Sequence, residues 1–344
     1  MLSLYGSLAA LLLTADPAPA YTIVSKPAQS IEAELTYSHQ NPNLKAKEWV
    51  IFIAQPPELP SQTKASVTVE PAERAKVVKE ASVLRRPVVM LTIPAGDKFR
   101  QGFQVKAKYQ ATLFERHLKA VGSGDKPSPA EPLTAAEEKA ALATSATVDY
   151  EAADFQRWLD DKKLRRGKEE SDLDFARRAF RVIATSFAYS YEPNQDRRVS
   201  KLCTAKGTDC GGMSVLFAAA LRGNRIPARV LSGRWAESAK ANEKVGGLPY
   251  YQTHIKAEFF AKGIGWVPVD PASAALGDKE ALRHFGHDAG NFLTMHVDPD
   301  LLVNTVHFGQ KTVPWLQGVS YWVAGAGSTE GGVTKTDWQV KKRP

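Results

Sequence analysis

Cysteine is scarce in this chain: only Cys203 and Cys210 occur in 344 residues. That excludes a disulfide-stapled scaffold and any four-thiolate metal site. Long apolar runs are missing too. The run from Leu8 to Leu13 is too short to span a bilayer, and no later segment approaches twenty apolar residues, so no integral membrane segment is expected in the mature chain. Metal-ligand patterns are also lacking. His284 and His287 stand three apart, with His296 and His307 further on, but no third ligand follows at helical or hairpin spacing, so neither a metal nor a cofactor is expected. No phosphate loop appears: "GAGSTEGG" follows no strand-to-helix pattern and reads as part of a flexible C-terminal tail over residues 326–344.

What is present is an ordinary globular composition, 43% hydrophobic and 24% charged, long enough for about two domains of roughly 150 residues. The first twenty residues, "MLSLYGSLAALLLTADPAPA", combine the short apolar run with a small-x-small ending at Ala18-Pro19-Ala20. This pattern predicts an export signal over residues 1–20 and a mature protein outside the cytoplasm, periplasmic or secreted, although the segment carries no Lys or Arg. Net charge is +8, and loss of Asp16 with the signal leaves +9. The basic residues are scattered, mostly beside acids. Such an excess favours anionic surfaces, such as a cell-envelope polymer, over sequence-specific reading of nucleic acid, for which no motif is present.

From Ser30 to about Val121 the apolar period is two. Ile31, Ala33, Leu35 and Tyr37 share one face; so do Trp49, Ile51 and Ile53; and so do Phe103, Val105, Ala107, Tyr109, Ala111 and Leu113. An all-β, immunoglobulin-like sandwich over residues 21–122 is expected. A Gly-, Ser-, Pro- and Ala-rich stretch, 123–149, reads as a linker with one short helix capped by Thr134 and Glu137. Beyond it the period becomes helical. Ser171 caps a stripe of Leu173, Ala176, Phe180, Ile183, Ala184 and Phe187, and a second helix follows Cys210, with Gly223 as its stop. The strands "PARVLSGRW", "THIKAEFFA" and "GWVPVDP" come next, so residues 150–325 read as an α+β domain of helices packed on an antiparallel sheet.

Cys210 falls at the N-cap or first turn of its helix, where unpaired backbone N–H groups and the helix dipole stabilise a thiolate. Gly211 and Gly212 would leave room for a substrate carbonyl. A lone cysteine there is more often a small buried hydrophobe, so the sulfur alone decides nothing. Its partners shift the balance. A thiolate nucleophile needs a group to hold and donate a proton, and His254 lies in an alternating strand with Asp270 at the end of the next, joined by the turn "KGIG". Taken singly, His254 is a strand histidine and Asp270 a turn residue before Pro271; in order behind a helix-start cysteine, the three are far less a coincidence.

At these residues the chain resembles the transglutaminase-like superfamily, papain-like cysteine enzymes. "DCGGMSVLFAAALRGNRIPARVLSG", His254 with Glu258 four residues on, and "GWVPVDP" carry the likeness. The resemblance implies Cys210 as nucleophile, His254 as base and acid, and Asp270 as its orienter, acting on a protein or peptide substrate. One departure stands out: the family usually has an aromatic two residues after the histidine, and here Lys256 takes that place, a candidate for the cleft wall or a solvated strand residue. Tyr189 and Tyr191, just upstream of the nucleophile loop, are candidates to assist an oxyanion or to pack, and the backbone amide at Cys210 is another. Cys203, seven residues earlier, is a candidate redox partner for Cys210.

Four functions remain open at this stage: a hydrolytic peptidase or amidase working through a thioester, which we favour because nothing specifies a lysine site; a cross-linking transglutaminase; a cell-wall amidase of the NlpC/P60 type; and a non-catalytic scaffold on the same fold. "IPAR" and "GWVPVDP" argue against the third. Oligomeric state is not legible.

Overall fold

Period-two stretches become strands because alternate residues meet different surroundings on the two sides of a pleated sheet. In the computed structural model, which describes residues 20–125, 128–240, 244–245, 248–249, 252–276 and 281–343, β1 spans Tyr21–Gln40, β2 Leu44–Ala54, β3 Gln62–Glu70, β4 Ala75–Lys79, β5 Pro87–Pro94 and β6 Gly102–Ala120. All but residue 20 of the expected export signal lies outside the described residues. Ile31, Ala33 and Leu35 of β1 are buried, as are Phe103 through Leu113 at every second place on β6. In β2 the alternation fails, since Trp49 to Ala54 are all buried. The same cluster takes in Leu301, Val303, Val313 and Leu316 from the far end of the chain.

The second half is mixed. Helices α1 (Ala135–Ala141), α2 (Ala153–Asp161), α3 (Asp172–Ser186), α4 (Val199–Leu202) and α5 (Cys210–Arg222) are interrupted by two short strands, β7 (Ala188–Tyr189) and β8 (Gly207–Thr208). Then come β9 (Ala228–Trp235), the short pair β10 (Lys244–Val245) and β11 (Leu248–Pro249), β12 (Thr253–Ala261), β13 (Gly265–Val269), α6 (Pro271–Ala275), β14 (His287–Ala289) and β15 (Phe292–Val297). The chain closes with β16 (Leu301–Asn304), β17 (Gln310–Val313), β18 (Val319–Gly327) and β19 (Val333–Arg343). The order β13-β12-β9-β15 forms an antiparallel sheet on which α5 lies. The α3 stripe is buried against α5, and Ser171 caps α3 by accepting the Asp174 N–H. The fold is thus α+β, with a β-rich N-terminal region.

Within the flexible tail expected over 326–344, residues 326–327 and 333–343 are instead strand. β19 pairs antiparallel with β1 from Ser30↔Arg343 to Gln40↔Val333, and Trp338 on it is fully buried. β18 pairs with β2. The sandwich therefore has sheets β14-β6-β1-β19, with β3 on β6, and β18-β2-β5-β4, and residues 21–122 do not complete it alone. Glycine supplied the misleading signal. Gly325, Gly327 and Gly331 have positive φ, and the first two lie so close to the Lys45 and Asn43 carbonyls that a Cβ would collide; they build a tight connection rather than a loose one. The linker is also tied down: Asp300 accepts from the Ser145 hydroxyl and from both the N–H and hydroxyl of Thr147, and Arg222 donates to the Ala143 carbonyl.

Two buried arginines join the halves. Arg86, between β4 and β5, donates to the carbonyls of Val297, Asp298, Pro299 and Asp300. Arg116 of β6 pairs with Glu258 of β12 at 2.9 Å and donates to the Trp266 carbonyl. Among the described residues no helix is long and apolar enough to cross a membrane.

Candidate active site

Asp209, not Cys210, is the N-cap of α5: its carboxylate accepts the Gly212 N–H at 3.0 Å, which makes Cys210 the first helical residue. Arg197 grips the same carboxylate with Nε at 3.1 Å and Nη2 at 2.5 Å. The cap is thus fixed from outside the helix. Among the described residues no hydrogen bond engages the amides of Cys210 and Gly211, which leaves two donors beside the sulfur at the positive end of the helix dipole. The glycines do not open a substrate space as expected. A Cβ at Gly212 would sit 1.9 Å from Thr208 Oγ1, and one at Gly211 would meet Ile255, Asp209 and Trp315 at 3.2–3.4 Å, so protein atoms fill both places.

β12 and β13 pair from Ala257↔Val269 to Ala261↔Gly265, and this register, continued by one residue, sets Asp270 across from Lys256 and diagonal to His254 on the same face. His254 Nε2 and Asp270 Oδ2 are 2.8 Å apart, both side chains buried. Asp270 is held in turn by the Ser273 N–H at 2.9 Å and hydroxyl at 2.8 Å, as the cap of α6. The Cys210 sulfur bears on the same imidazole and helps raise its pKa; Asp270 engages Nε2 and leaves Nδ1. Burial alone would pull the His254 pKa down; the Asp270 charge and hydrogen bond, with the Cys210 sulfur, outweigh it and raise the value to about 9. Burial pushes Asp270 up, but His254 first and Lys256 also hold it well below the usual carboxylate range. The cysteine, histidine and aspartate singled out from spacing are therefore brought together.

Several groups that spacing did not reveal complete the site. The Trp235 indole stacks on the His254 ring, centroids 4.6 Å apart and planes 18° from parallel. It supplies from β9 the aromatic that Lys256 displaces on β12. Gln317 Nε2 donates to the His254 carbonyl at 2.7 Å and to that of Gly233 at 2.9 Å, strapping the segment before β18 across both strands. Next to it Trp315 reaches Gly211 and walls a groove of about 330 Å³ that runs past Pro314 to Tyr321 and Trp322. Asp209 went unread, although "TDCGG" offers it as a capping residue; Trp235, Gln317 and Arg197 carry no local signal.

The remaining candidates disperse. Lys256 is not solvated: it is 7% exposed, 3.5 Å from Asp288, with its ammonium against Trp235 and Phe292. Tyr189 lies on β7 opposite Thr208 of the nucleophile loop, half-buried against the core. Tyr191 is exposed and stands 5.9 Å from the Arg197 guanidinium. Cys203 forms no disulfide with Cys210; both thiols are free, and Cys203 is buried, bonded to the Ser200 carbonyl, with burial pushing its thiol pKa up. His284 gives its carbonyl to the Asp270 N–H, His287 sits opposite His117, His307 bonds Glu48, and His296 lies between the Asp298 carbonyl and the Leu316 N–H. Burial and the Arg86 charge lower the His296 pKa to about 3, so it is neutral. Among the described residues no group of metal ligands gathers.

Residues 162–271, which hold all three site residues, match the family model of the transglutaminase-like superfamily. The chain is also similar in structure to a protein of Cytophaga hutchinsonii named "putative cysteine protease", with TM-score 0.54 at 11% identity over 93% of this chain and all of that one. A weaker likeness, TM-score 0.34 at 14% identity over 70% of this chain and 90% of the other, is to the periplasmic domain of TgpA from Pseudomonas aeruginosa. Among curated proteins none matches.

Proposed function

We propose, for a chain that belongs to the transglutaminase-like superfamily through residues 162–271, that it is an exported cysteine-dependent acyl-transfer enzyme that hydrolyses protein or peptide amides. One observation carries this reading: the His254 imidazole is hydrogen-bonded to the Asp270 carboxylate at 2.8 Å, and the Cys210 sulfur at the start of α5 bears on the same ring. A buried imidazole with a pKa of about 9 stays protonated at neutral pH and so places a proton donor beside the Cys210 sulfur.

The thiolate attacks the amide carbonyl carbon, and the oxyanion that forms accepts from the Cys210 and Gly211 N–H groups. Collapse breaks the C–N bond while His254 gives its proton to the departing amine, leaving a thioester on Cys210. His254, now neutral, takes a proton from water as the water oxygen attacks the thioester. The carboxylic acid leaves and the thiolate–imidazolium pair is restored. Asp270 holds the ring in position and stabilises its charge throughout. Export rests on the N-terminal sequence pattern. Hydrolysis rather than amine transfer is favoured because nothing in the sequence specifies a lysine-binding site.

Two measurements test the proposal. Alkylation of Cys210 by iodoacetamide is expected well below the free-thiol range of about 8.5, and His254→Ala should return it to an ordinary thiol profile; an ordinary profile in the unaltered protein sinks the enzyme reading and leaves a scaffold. Incubation with casein and a labelled amine then separates fragment release, which is expected, from amine incorporation, which would make the protein a cross-linking enzyme instead.

A further inference from the structure

Alternation along β12 sends Ile255, Ala257 and Phe259 to one face and His254, Lys256 and Glu258 to the other, yet both faces are buried. Three titratable side chains in a row, at 5%, 7% and 0% exposure, each need partners. Glu258 has Arg116 and Arg229. Lys256 has Asp288, whose Oδ1 also accepts the Gly290 N–H at 3.0 Å. Asp288 does not belong to the sheet of the active site: it lies on β14, which extends the sandwich sheet alongside β6 and places it directly opposite Arg116.

Lys256 and His254 share two rings. The ammonium lies 4.8 Å from the Trp235 centroid and 4.9 Å from that of Phe292. The imidazole stacks on Trp235 at 4.6 Å and meets Phe292 edge-on at 6.1 Å and 89°. A desolvated cation held against an aromatic face resists rotation of that ring, and a stacked ring passes the restraint to its neighbour.

We propose that Lys256, seated by Asp288 of the sandwich sheet, is a positioning residue for His254: its ammonium fixes the Trp235 and Phe292 rings that hold the imidazole between Cys210 and Asp270. Docking of the sandwich thereby sets the geometry of the nucleophile pair. This rests on reading Cys210, His254 and Asp270 as the catalytic set. The groups that bear on His254 are Cys210 from α5, Asp270 after β13, Trp235 from β9, Phe292 from β15, Gln317 on its carbonyl, and Lys256, whose charge also acts on Asp270. Glu258, further along the same face, is neutralised by Arg116 and Arg229.

The test uses the full mature chain and needs no substrate. Iodoacetamide alkylation of Cys210 is followed at pH 6 and pH 9 in the unaltered protein and in Lys256→Met/Asp288→Asn, Lys256→Arg, Trp235→Leu and His254→Ala. The double variant leaves no unpaired buried charge, so its thermal unfolding should stay near that of the parent. Its alkylation rate at pH 6 is expected to fall roughly tenfold, the scale of one desolvated cation–π contact, with the rates converging at pH 9. Lys256→Arg, which keeps the charge and the ring contact, should retain the parent profile, and Trp235→Leu, which spares the ion pair, should lose low-pH reactivity like the double variant. A folded double variant, or Trp235→Leu, with the parent's profile overturns the proposal while the catalytic reading stands. A parent profile equal to that of His254→Ala overturns the catalytic reading itself.

Discussion

The two faces of β12 do different work with the same burial. On one, Ile255, Ala257 and Phe259 join the core under α5, where the Phe259 ring meets Phe217 at 6.0 Å and Phe285 at 5.9 Å. On the other, His254, Lys256 and Glu258 are met by an aspartate after β13, an aspartate on β14 and arginines on β6 and β9. Apolar packing is non-directional, so the first face sets how far the strand stands from the nucleophile helix. Ion pairs and hydrogen bonds are directional and leave a costly orphan when one partner is lost, so the second face sets which way the side chains point.

The sharpest break in this comparison separates chemistry from folding. Cys210→Ala is expected to lower kcat/KM for peptide release by about 10⁴-fold or more, with unchanged thermal unfolding; a folded variant that keeps activity would place the nucleophile elsewhere. Next in size are two stability changes that should match in magnitude and differ in consequence. Phe259→Ala should cost about 3–5 kcal/mol through a core cavity, and Glu258→Gln about 3–5 kcal/mol by stranding two buried guanidinium groups, both read from denaturant unfolding. Only the second should also weaken sandwich docking, seen as faster proteolysis between residues 120 and 150.

A smaller effect follows from pH. Because His254 is raised to about 9, the proton it must give to the leaving amine is present below that value and lost above it, so kcat/KM should decline through about pH 9. By the same sign, stability linked to protonated His254 is full below about 6.5 and lost as pH rises through about 9. Asp270 and Glu258 are depressed, so their contribution is present above about pH 4 and lost on acidification. Smallest of all, Cys203→Ala should change stability by only about 1 kcal/mol and leave Cys210 alkylation untouched, since the two thiols are not bonded.

The spacing from His254 to Asp270 was legible because a hairpin with a short turn has few registers, and the one adopted sets them two residues apart on one face. The helix start at Cys210 was legible from the apolar residues that follow it, while its cap, Asp209, was not singled out. Trp235, Gln317 and Asp288 were not, since each reaches His254 or Lys256 from a separate strand or loop and only the assembled sheet makes them neighbours. Lys256 was misjudged for a related reason: period-two patterning marks a polar residue as outward, and it is blind to a second domain covering the outer face. The C-terminal glycines were misjudged because a glycine-rich run is as consistent with a tight hairpin as with disorder.

Periodicity and hairpin spacing are local properties, and through them the sequence by itself determined the sandwich strands β1, β2 and β6, the helix that presents Cys210 and the pairing of His254 with Asp270. The tertiary structure alone decided that the last strand closes the sandwich onto the first, and that a charge from that sandwich reaches the lysine lying against the ring stacked on the histidine. Those contacts join residues such as Asp288 and Lys256, or Val333 and Gln40, whose meeting depends on how whole sheets pack rather than on any pattern along the chain.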